Sequence, residues 1–413
     1  MARSRTALSF IAISSTVSAA ITWAVLLVGA RVLGPDRYSD FLVVWGVFFG
    51  TAGVLAGLQQ EVTRSASHAQ RQAGDHRLAP GVGLIAGAGA VLVLATSPVW
   101  AEDVFGRYWL GGAVVLAGCF VGYTAANLVN GVLASRQAWS EYAVLILAEG
   151  ILRAAVTVTV LWAGSGPVGW GIAITAGLSA WVVVGVASRK VRTTLRATGD
   201  ARVRAFVRQS GQAMVASACS AVMITGFPPL VRLVGPAESG AATGAVFATI
   251  IATRAPVLIL LNAFQGPIIR HLARGDRAAL QWAGRWLVGG VVATGAAAGA
   301  AYAVGPAAVG LVFGGDFEPS RSFAAMAAVG VGLLAALTVI GWLILALGRH
   351  AAFLAGWVAA LATTVVCLSV GAGLEARAGL AMVAGPLTGL AIYAVVTAAA
   401  RRTVRAGRSV QAE

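Results

Sequence analysis

Long apolar stretches alternate with short polar segments along the whole chain. Twelve stretches approach the ~20 residues that a helix needs to cross a bilayer. They cover residues 7–30, 41–58, 78–100, 108–134, 142–164, 168–188, 210–231, 241–263, 286–304, 323–347, 351–374 and 379–400, and the charged residues inside them are Glu149, Arg153 and Arg254. The pattern predicts an all-α polytopic membrane protein with 12 transmembrane helices.

Composition supports this class of protein. Hydrophobic residues make up 58% of the chain and charged residues 11%, whereas a soluble domain carries about 25% charged residues. The polar segments between the stretches are too short for a soluble catalytic domain, so we expect no enzyme activity. The three cysteines and four histidines are not spaced as metal ligands, and we therefore expect no metal and no cofactor.

Basic residues indicate the orientation of the helices. If the N-terminus is cytoplasmic, the inside segments hold 22 of the 30 basic residues and the outside segments hold 6. An excess of arginine marks the cytoplasmic side, so we expect both termini in the cytoplasm and the protein in the inner (plasma) membrane. The basic loops then face anionic membrane lipids, and no nucleic-acid partner is needed to explain the net charge of +15.

Short matches in the same order relate the two halves of the chain. Arg-Val-Leu-Gly-Pro at 31–35 matches Arg-Leu-Val-Gly-Pro at 232–236, and Leu-Ala-Ser-Arg at 133–136 parallels Ala-Leu-Gly-Arg at 346–349. A weaker match relates 59–64 to 265–270. Six spans per half is an even number, so the halves share an orientation and are predicted to be related by a pseudo-two-fold axis along the membrane normal. The Gly-Pro steps are predicted to end their spans sharply, because proline disfavours a helical residue before it.

The chain resembles the polysaccharide/O-antigen flippase family, which is the polysaccharide transport branch of the multidrug/oligosaccharidyl-lipid/polysaccharide exporter superfamily. The resemblance rests on the number of spans and on the stretches 30–38, 208–211 and 233–240. The resemblance implies two six-helix lobes, at residues 1–200 and 210–413, joined by a cytoplasmic linker at 201–209. It also implies alternating access that moves a lipid-linked anionic oligosaccharide to the outer leaflet. Membrane proteins of glycan assembly are then further candidate partners.

An anionic lipid headgroup needs cationic donors in a cavity lined by protein. Arg153 and Arg254 lie near the middle of their spans, and an intramembrane arginine marks a functional site by default. The alternative for Arg153 is a structural ion pair with Glu149, four residues earlier on the same helix face. Glu149 is also the candidate for proton coupling, although an outward-moving anion could be driven by voltage alone.

Four further residues are weaker candidates for substrate binding. Arg64 and Arg270 occupy matching places after the second and eighth spans, where they could line the mouth of a cavity or serve as snorkelling anchors. Asn127 and Asn130 could bond sugar hydroxyls or form hydrogen bonds between helices.

Two other functions stay open at this point. A drug/cation antiporter of the same superfamily is disfavoured by the scarcity of intramembrane acids, since cationic drugs and coupling cations both require carboxylates. A non-transporting scaffold for glycan assembly would give the intramembrane arginines no role, and their neutral replacements would then be silent.

The orientation can be tested with single cysteines. Gly34, Gly235 and Asp316 are predicted to face outward, and the segment 189–209 to face the cytoplasm. Cysteines placed at Ser39 and Ser320 should therefore react with an impermeant maleimide added outside intact cells. Absence of outside labelling at both positions would contradict the orientation.

Overall fold

The computed structural model describes residues 2–72, 74–235, 240–272, 277–346, 349–370 and 373–410, and side chains within 13–71, 74–235, 240–257, 261, 285, 288–344, 349, 351–370 and 373–397. The chain forms two compact units, Met1–Leu233 and Val234–Glu413.

The first unit is helical apart from one short strand pair. Its helices are α1 (Ala2–Gln72), α2 (Ala79–Phe105), α3 (Trp109–Ser135), α4 (Trp139–Trp162), α5 (Pro167–Ala176), α6 (Ala180–Ala187), α7 (Arg189–Arg192), α8 (Val203–Ile224) and α9 (Phe227–Val234), which reaches the boundary. Strands β1 (His76–Arg77) and β2 (Thr198–Gly199) pair antiparallel. A 3-10 turn, Gly177–Ser179, joins α5 to α6.

The second unit contains α10 (Ala241–Leu272), α11 (Arg277–Phe313), α12 (Arg321–Ala346), α13 (His350–Ser369) and α14 (Leu374–Val410). Glycines bring its helices together. A Cβ at Gly330 would lie 2.7 Å from Met382 Cβ, so α12 and α14 meet at backbone distance. The hydroxyl of Tyr393 on α14 donates to the carbonyl of Phe353 on α13 at 3.1 Å.

Helices long enough to span a membrane cover the apolar stretches of the sequence in the part of the chain that the structure describes. In the described part of the chain, eight are long and apolar enough to cross a bilayer, and two of them, Ile13–Arg71 and Ala79–Ser135, are 59 and 57 residues long and contain two predicted spans each. A bent pair (α8 with α9) and the shorter apolar helix Ala241–Val257 cover two more. The predicted all-α polytopic membrane fold is confirmed.

A corner at Gly34 divides α1 into two helices. A straight helix of 71 residues would be about 107 Å long at 1.5 Å per residue, far longer than a bilayer is thick. Gly34 has φ 69° and ψ 170°, a left-handed φ that glycine adopts without a steric penalty, and Pro35 opens the following helix. The predicted sharp end of the first span is thus confirmed. Ser39, just beyond the corner, is fully buried, so exposed Asp36 is the better labelling position.

The seventh span differs from its prediction as one helix over 210–231. It consists of α8 and α9, which meet at 82°. Pro228 and Pro229 have no backbone N–H to donate to α8, and proline restricts the residue before it, so the helix ends at this point. The bond from Arg232 Nη2 to Asp40 Oδ1 at 2.7 Å ties α9 to α1.

A glycine face on the second half of α1 receives α8 and the start of α9. Gly46, Gly53 and Gly57 lie on this face, and a Cβ at Gly46 would stand 2.5 Å from Pro229 Cδ and 2.9 Å from the Thr225 carbonyl oxygen. Small residues let helix backbones approach closely in a membrane. The compact unit therefore includes the seventh span, whereas the predicted lobes at 1–200 and 210–413 follow the sequence repeat and stay a prediction.

A polar clasp joins the segment after α7 to the end of α1. The Arg64 guanidinium bonds Glu61 at 2.7 Å and Asp200 at 2.9 Å, and the Ser65 hydroxyl donates to Asp200 at 2.6 Å. Burial raises the pKa of Asp200, but the bonds from Ser65 and Arg64 outweigh it, so that the pKa lies below its ordinary value of 3.8. The pairing of β1 with β2 lies beside this clasp, because β2 ends directly before Asp200.

Substitution on the glycine face should destabilise the first unit. We expect Gly46→Ala to lower stability by about 1–3 kcal/mol through overpacking against Pro229 and the Thr225 backbone, measured as a lower melting temperature of the solubilised protein. Gly50 is the matched control, because a Cβ there would lie 4.0 Å from its nearest neighbour, Gly226 Cα. Gly50→Ala should be neutral or slightly stabilising; equal melting temperatures for the two variants would contradict the close contact.

The clasp should depend on pH. Asp200→Asn removes the charge from the bonds to Arg64 and Ser65, and we expect a loss of about 1–3 kcal/mol at pH 7. A carboxyl with a lowered folded pKa stabilises above its unfolded pKa, and that contribution disappears as the pH falls through the folded value. The melting temperatures of wild type and variant should therefore converge below the ordinary pKa of 3.8. A gap that is independent of pH would argue against a charged clasp.

Candidate functional site

A polar cluster lies between α1, α3 and α4 in the interior of the first unit, with Arg153 at its centre. Arg153 is 7% exposed, and its Nη1 donates to Glu149 Oε1 at 2.9 Å and to the Tyr123 hydroxyl at 3.4 Å. Its guanidinium carbon stands 5.0 Å from the centre of the Phe49 ring. The cluster therefore balances the buried cation with one carboxylate, one phenol and one aromatic face.

The local fold explains why the pair forms. Glu149 and Arg153 are one helical turn apart on α4, which places both side chains on one face. The turn at Gly177 packs over them, because a Cβ there would lie 2.9 Å from both Arg153 Cβ and the Glu149 carbonyl oxygen. A larger residue at 177 would displace the pair, so glycine sets how closely this turn approaches α4.

Two asparagines lie further along α3 from Tyr123, Asn127 one turn and Asn130 two turns away. Asn127 is 7% exposed, and its Nδ2 has no hydrogen-bond partner, while Asn130 is half-buried. A buried amide group without a partner costs free energy. Asn127 is therefore a donor in the interior of the unit that a ligand could satisfy.

The remaining predicted residues are dispersed. Arg64 belongs to the clasp described above, where it bonds two carboxylates as well as Gln209 at 3.1 Å; its side chain is 39% exposed. Arg254 is 7% exposed on α10 of the second unit. The side chain of Arg270 lies outside the described residues.

Sequence reasoning named Glu149 as a partner of Arg153 and missed the partners on other helices. Tyr123 and Phe49 lie on other helices. Tyr123 could have been recognised in the sequence as an aromatic side chain with a hydroxyl group in the same span as Asn127. Gln59 and Tyr142 form a second missed contact, from Gln59 Nε2 to the Tyr142 hydroxyl at 3.1 Å. Among the described residues, no group of three His, Cys, Asp or Glu side chains could hold a metal ion.

Carboxylates of the first unit that are buried or half-buried are paired with bases. Besides the pair at Arg153, the ion pairs join Asp40 to Arg232 at 2.7 Å, Glu61 to Arg64 at 2.7 Å, Asp200 to Arg64 at 2.9 Å and Glu141 to Lys190 at 2.6 Å. Each of these carboxylates therefore has a basic partner within the first unit, and Arg64 serves two of them.

Comparison with solved structures identifies the fold. The chain superposes on an outward-facing MATE family transporter of the MOP superfamily with a TM-score of 0.64 at 15% identity, covering 98% of this chain and 96% of that one. The inward-facing conformation of such a transporter gives 0.62 at 14% identity, over 94% and 96%. A MOP superfamily transporter from Pyrococcus furiosus, described as having a binding pocket of reverse polarity, gives 0.58 at 15% identity, over 95% and 96%.

Comparison of sequences identifies relatives. No family model matches the chain. Uncharacterized protein Rv3630 of Mycobacterium tuberculosis is 32% identical over 393 residues, 93% of this chain and 90% of the relative. Uncharacterized protein Rv1510 of the same species is 32% identical over 397 residues, 94% of this chain and 90% of the relative. The chain therefore belongs to the family of these mycobacterial proteins, and it has the fold of the MATE transporters of the MOP superfamily.

Proposed function

We propose that the protein is a flippase that moves an anionic lipid-linked oligosaccharide from the cytoplasmic to the outer leaflet by alternating access. The fold supports a transporter, since outward-facing and inward-facing transporters superpose on the chain at similar scores. An inner-membrane location with both termini cytoplasmic belongs to the same proposal and is supported by the distribution of arginine.

The observation that carries the choice of an anionic substrate is the charge of the buried groups. In the first unit the intramembrane carboxylate of Glu149 is already held by Arg153, and the buried or half-buried acids outside the predicted spans are also paired. Arg254 adds a buried base in the second unit. A substrate that carries negative charge suits such an interior better than a cation does.

Arg153 keeps donors for an anion. Both of its bonds to Glu149 and Tyr123 leave from Nη1, and a guanidinium has five N–H donors in a planar fork. In the proposal, Nη2 and Nε bind the pyrophosphate, while Asn127, with its Nδ2 unpartnered, and Asn130 bond sugar hydroxyls. Arg64, whose guanidinium is held by Glu61 and Asp200, is not part of the proposed substrate site.

Membrane voltage can supply the driving force. Two negative charges that move outward across a membrane with an inside-negative potential release ~2.3 kcal/mol per charge per 100 mV. Glu149 then acts as the counter-ion of Arg153, and a proton cycle at this carboxyl is not required.

A drug/cation antiporter is the second candidate, because it has the same fold. The observation that favours it is the accessibility of Glu149, whose side chain is 22% exposed, whereas the side chain of Arg153 is 8% exposed. Protonation of this carboxyl would free Arg153 in each cycle, and Glu149→Gln would abolish coupling to a pH gradient.

Transport by arginine variants tests the proposal. In proteoliposomes with an imposed inside-negative potential, Arg254→Ala should abolish flipping of a fluorescent lipid-linked oligosaccharide, and Arg254→Lys should restore only part of it, because lysine lacks the planar fork. Arg204→Ala is the matched control, since Arg204 is exposed at the start of α8, and it should transport as wild type. Glu149→Gln should retain voltage-driven transport.

Arg153 needs a different variant, because Arg153→Ala leaves the half-buried charge of Glu149 without its partner inside the membrane, at a cost of up to about 3–5 kcal/mol. The double variant Arg153→Met with Glu149→Leu removes both charges and should insert and melt near wild type, yet fail to flip the lipid. Undiminished transport by this double variant and by Arg254→Ala would exclude both arginines from substrate binding and leave Arg153 and Glu149 as a structural ion pair. Absence of transport by the wild-type protein would favour the scaffold. Export of a cationic dye that is lost in Glu149→Gln would favour the antiporter.

A further inference from the structure

A groove of about 370 Å³ opens on the first unit where α4 begins and α6 ends. Its aliphatic walls come from Val144, Val183, Val184 and Ala187. Ser140, Glu141 and Ser188 supply its polar atoms. The groove thus combines a hydrocarbon-lined slot with a few polar groups at the ends of two membrane-spanning segments.

The aliphatic side of the groove faces the surroundings of the protein. Val144 is 45% exposed and Val183 is 63% exposed. Both belong to predicted spans, so the exposed valines contact lipid rather than water. The groove is therefore open to a hydrocarbon chain from the bilayer.

The short helix α7 places basic side chains beside the groove. Val191 is buried against Val129, Leu133 and Leu145, which turns Arg189, Lys190 and Arg192 outward. Lys190 Nζ bonds the groove residue Glu141 at 2.6 Å, so the ammonium group stands at the groove itself.

Backbone contacts hold this basic turn in place. Arg192 Nη1 donates to the carbonyl oxygens of Gly185 at 3.1 Å and Val186 at 2.5 Å, in the last turn of α6. The Thr194 hydroxyl donates to the Val191 carbonyl at 2.6 Å. Lys190 and Glu141 meet at the polar end of the groove, and exposed Arg189 and Arg192 lie on the short helix that directly follows the groove residue Ser188. Three bases against one acid leave local positive charge next to the groove.

We propose that this groove binds an anionic phospholipid, with one acyl chain against Val144 and Val183 and the phosphate on Lys190. Lysine binds phosphate as a point charge, and bases near a membrane surface attract anionic lipids. The aliphatic walls distinguish the site from one for free phosphate, which has no chain to bury. This site is separate from the cluster at Arg153 and does not depend on the proposed transport function.

The chemistry of the chain makes the site directly observable. Lys190 is the single lysine in the sequence, so reductive methylation with ¹³C-formaldehyde labels Lys190 and the terminal amine alone. Titration of phosphatidylglycerol into the delipidated full-length protein in detergent should shift the Lys190 methyl resonance, whereas phosphatidylcholine should not. Native mass spectrometry of the unlabelled protein in the same titration gives the affinity.

Matched variants separate the groove from general surface charge. Lys190→Gln and Val183→Trp should each weaken the tightest phosphatidylglycerol binding by about fivefold. Arg196→Gln removes an exposed base outside the groove, and Val182→Trp changes a valine that is 48% exposed and outside the lining. These two controls should change the affinity by less than about twofold.

Three results would overturn the proposal: equal binding of phosphatidylcholine, groove variants that behave like their controls, or no shift of the Lys190 resonance at saturation. Competition with a polyprenyl phosphate tests the occupant. If the polyprenyl phosphate displaces phosphatidylglycerol at lower concentration and this depends on Val183, the groove belongs to a lipid-linked substrate and the phospholipid assignment is wrong.

Discussion

A charge in hydrocarbon needs a partner, and this requirement shapes the first unit more than any other. Arg153 is enclosed by Glu149, Tyr123 and the Phe49 ring, which fixes α1, α3 and α4 around one point. Gly177 is small because the turn that carries it packs directly on this pair. Outside the predicted spans, the ion pair of Arg232 with Asp40 ties α9 to α1. At Arg153, three helices are held together by a group that the hydrocarbon would otherwise exclude.

The course of the helices follows from local chemistry, and much of it could be predicted from the sequence. Apolar length located the long helices in the part of the chain that the structure describes, and Gly34-Pro35 marked a corner because the backbone conformation there depends on two adjacent residues. The break between α8 and α9 at Thr225 and Gly226 was not predicted, although Pro228 and Pro229 cause it. The length of an apolar stretch carries no information about a bend within it. The close approach of α8 to Gly46 could not be predicted for another reason. It depends on which helix faces contact each other in the folded protein.

The site was predictable only where contacts are local. Glu149 and Arg153 are four residues apart, so helix geometry alone brings them together. Tyr123 and Phe49 reach Arg153 from other helices, and no periodicity specifies which side chains meet there. Arg64 shows the same limit, because Asp200 lies 136 residues away in sequence. Arginine at a helix end suggested a cavity mouth, whereas its bonds to two carboxylates depend on the return of the chain to the end of α1.

The contact between the glycine face of α1 and α8 has a consequence for biosynthesis. The chain enters the membrane from its N-terminus, and domains generally fold in that order. The glycine face at Gly46 can be covered only after α8 and α9 have been synthesised. Until then, the six preceding spans lie in the bilayer with this face exposed to lipid. Insertion of the seventh span is therefore the step that completes the first unit. A chain divided within 235–240 would keep that unit whole, whereas one divided at 201–209 would leave it open to lipid.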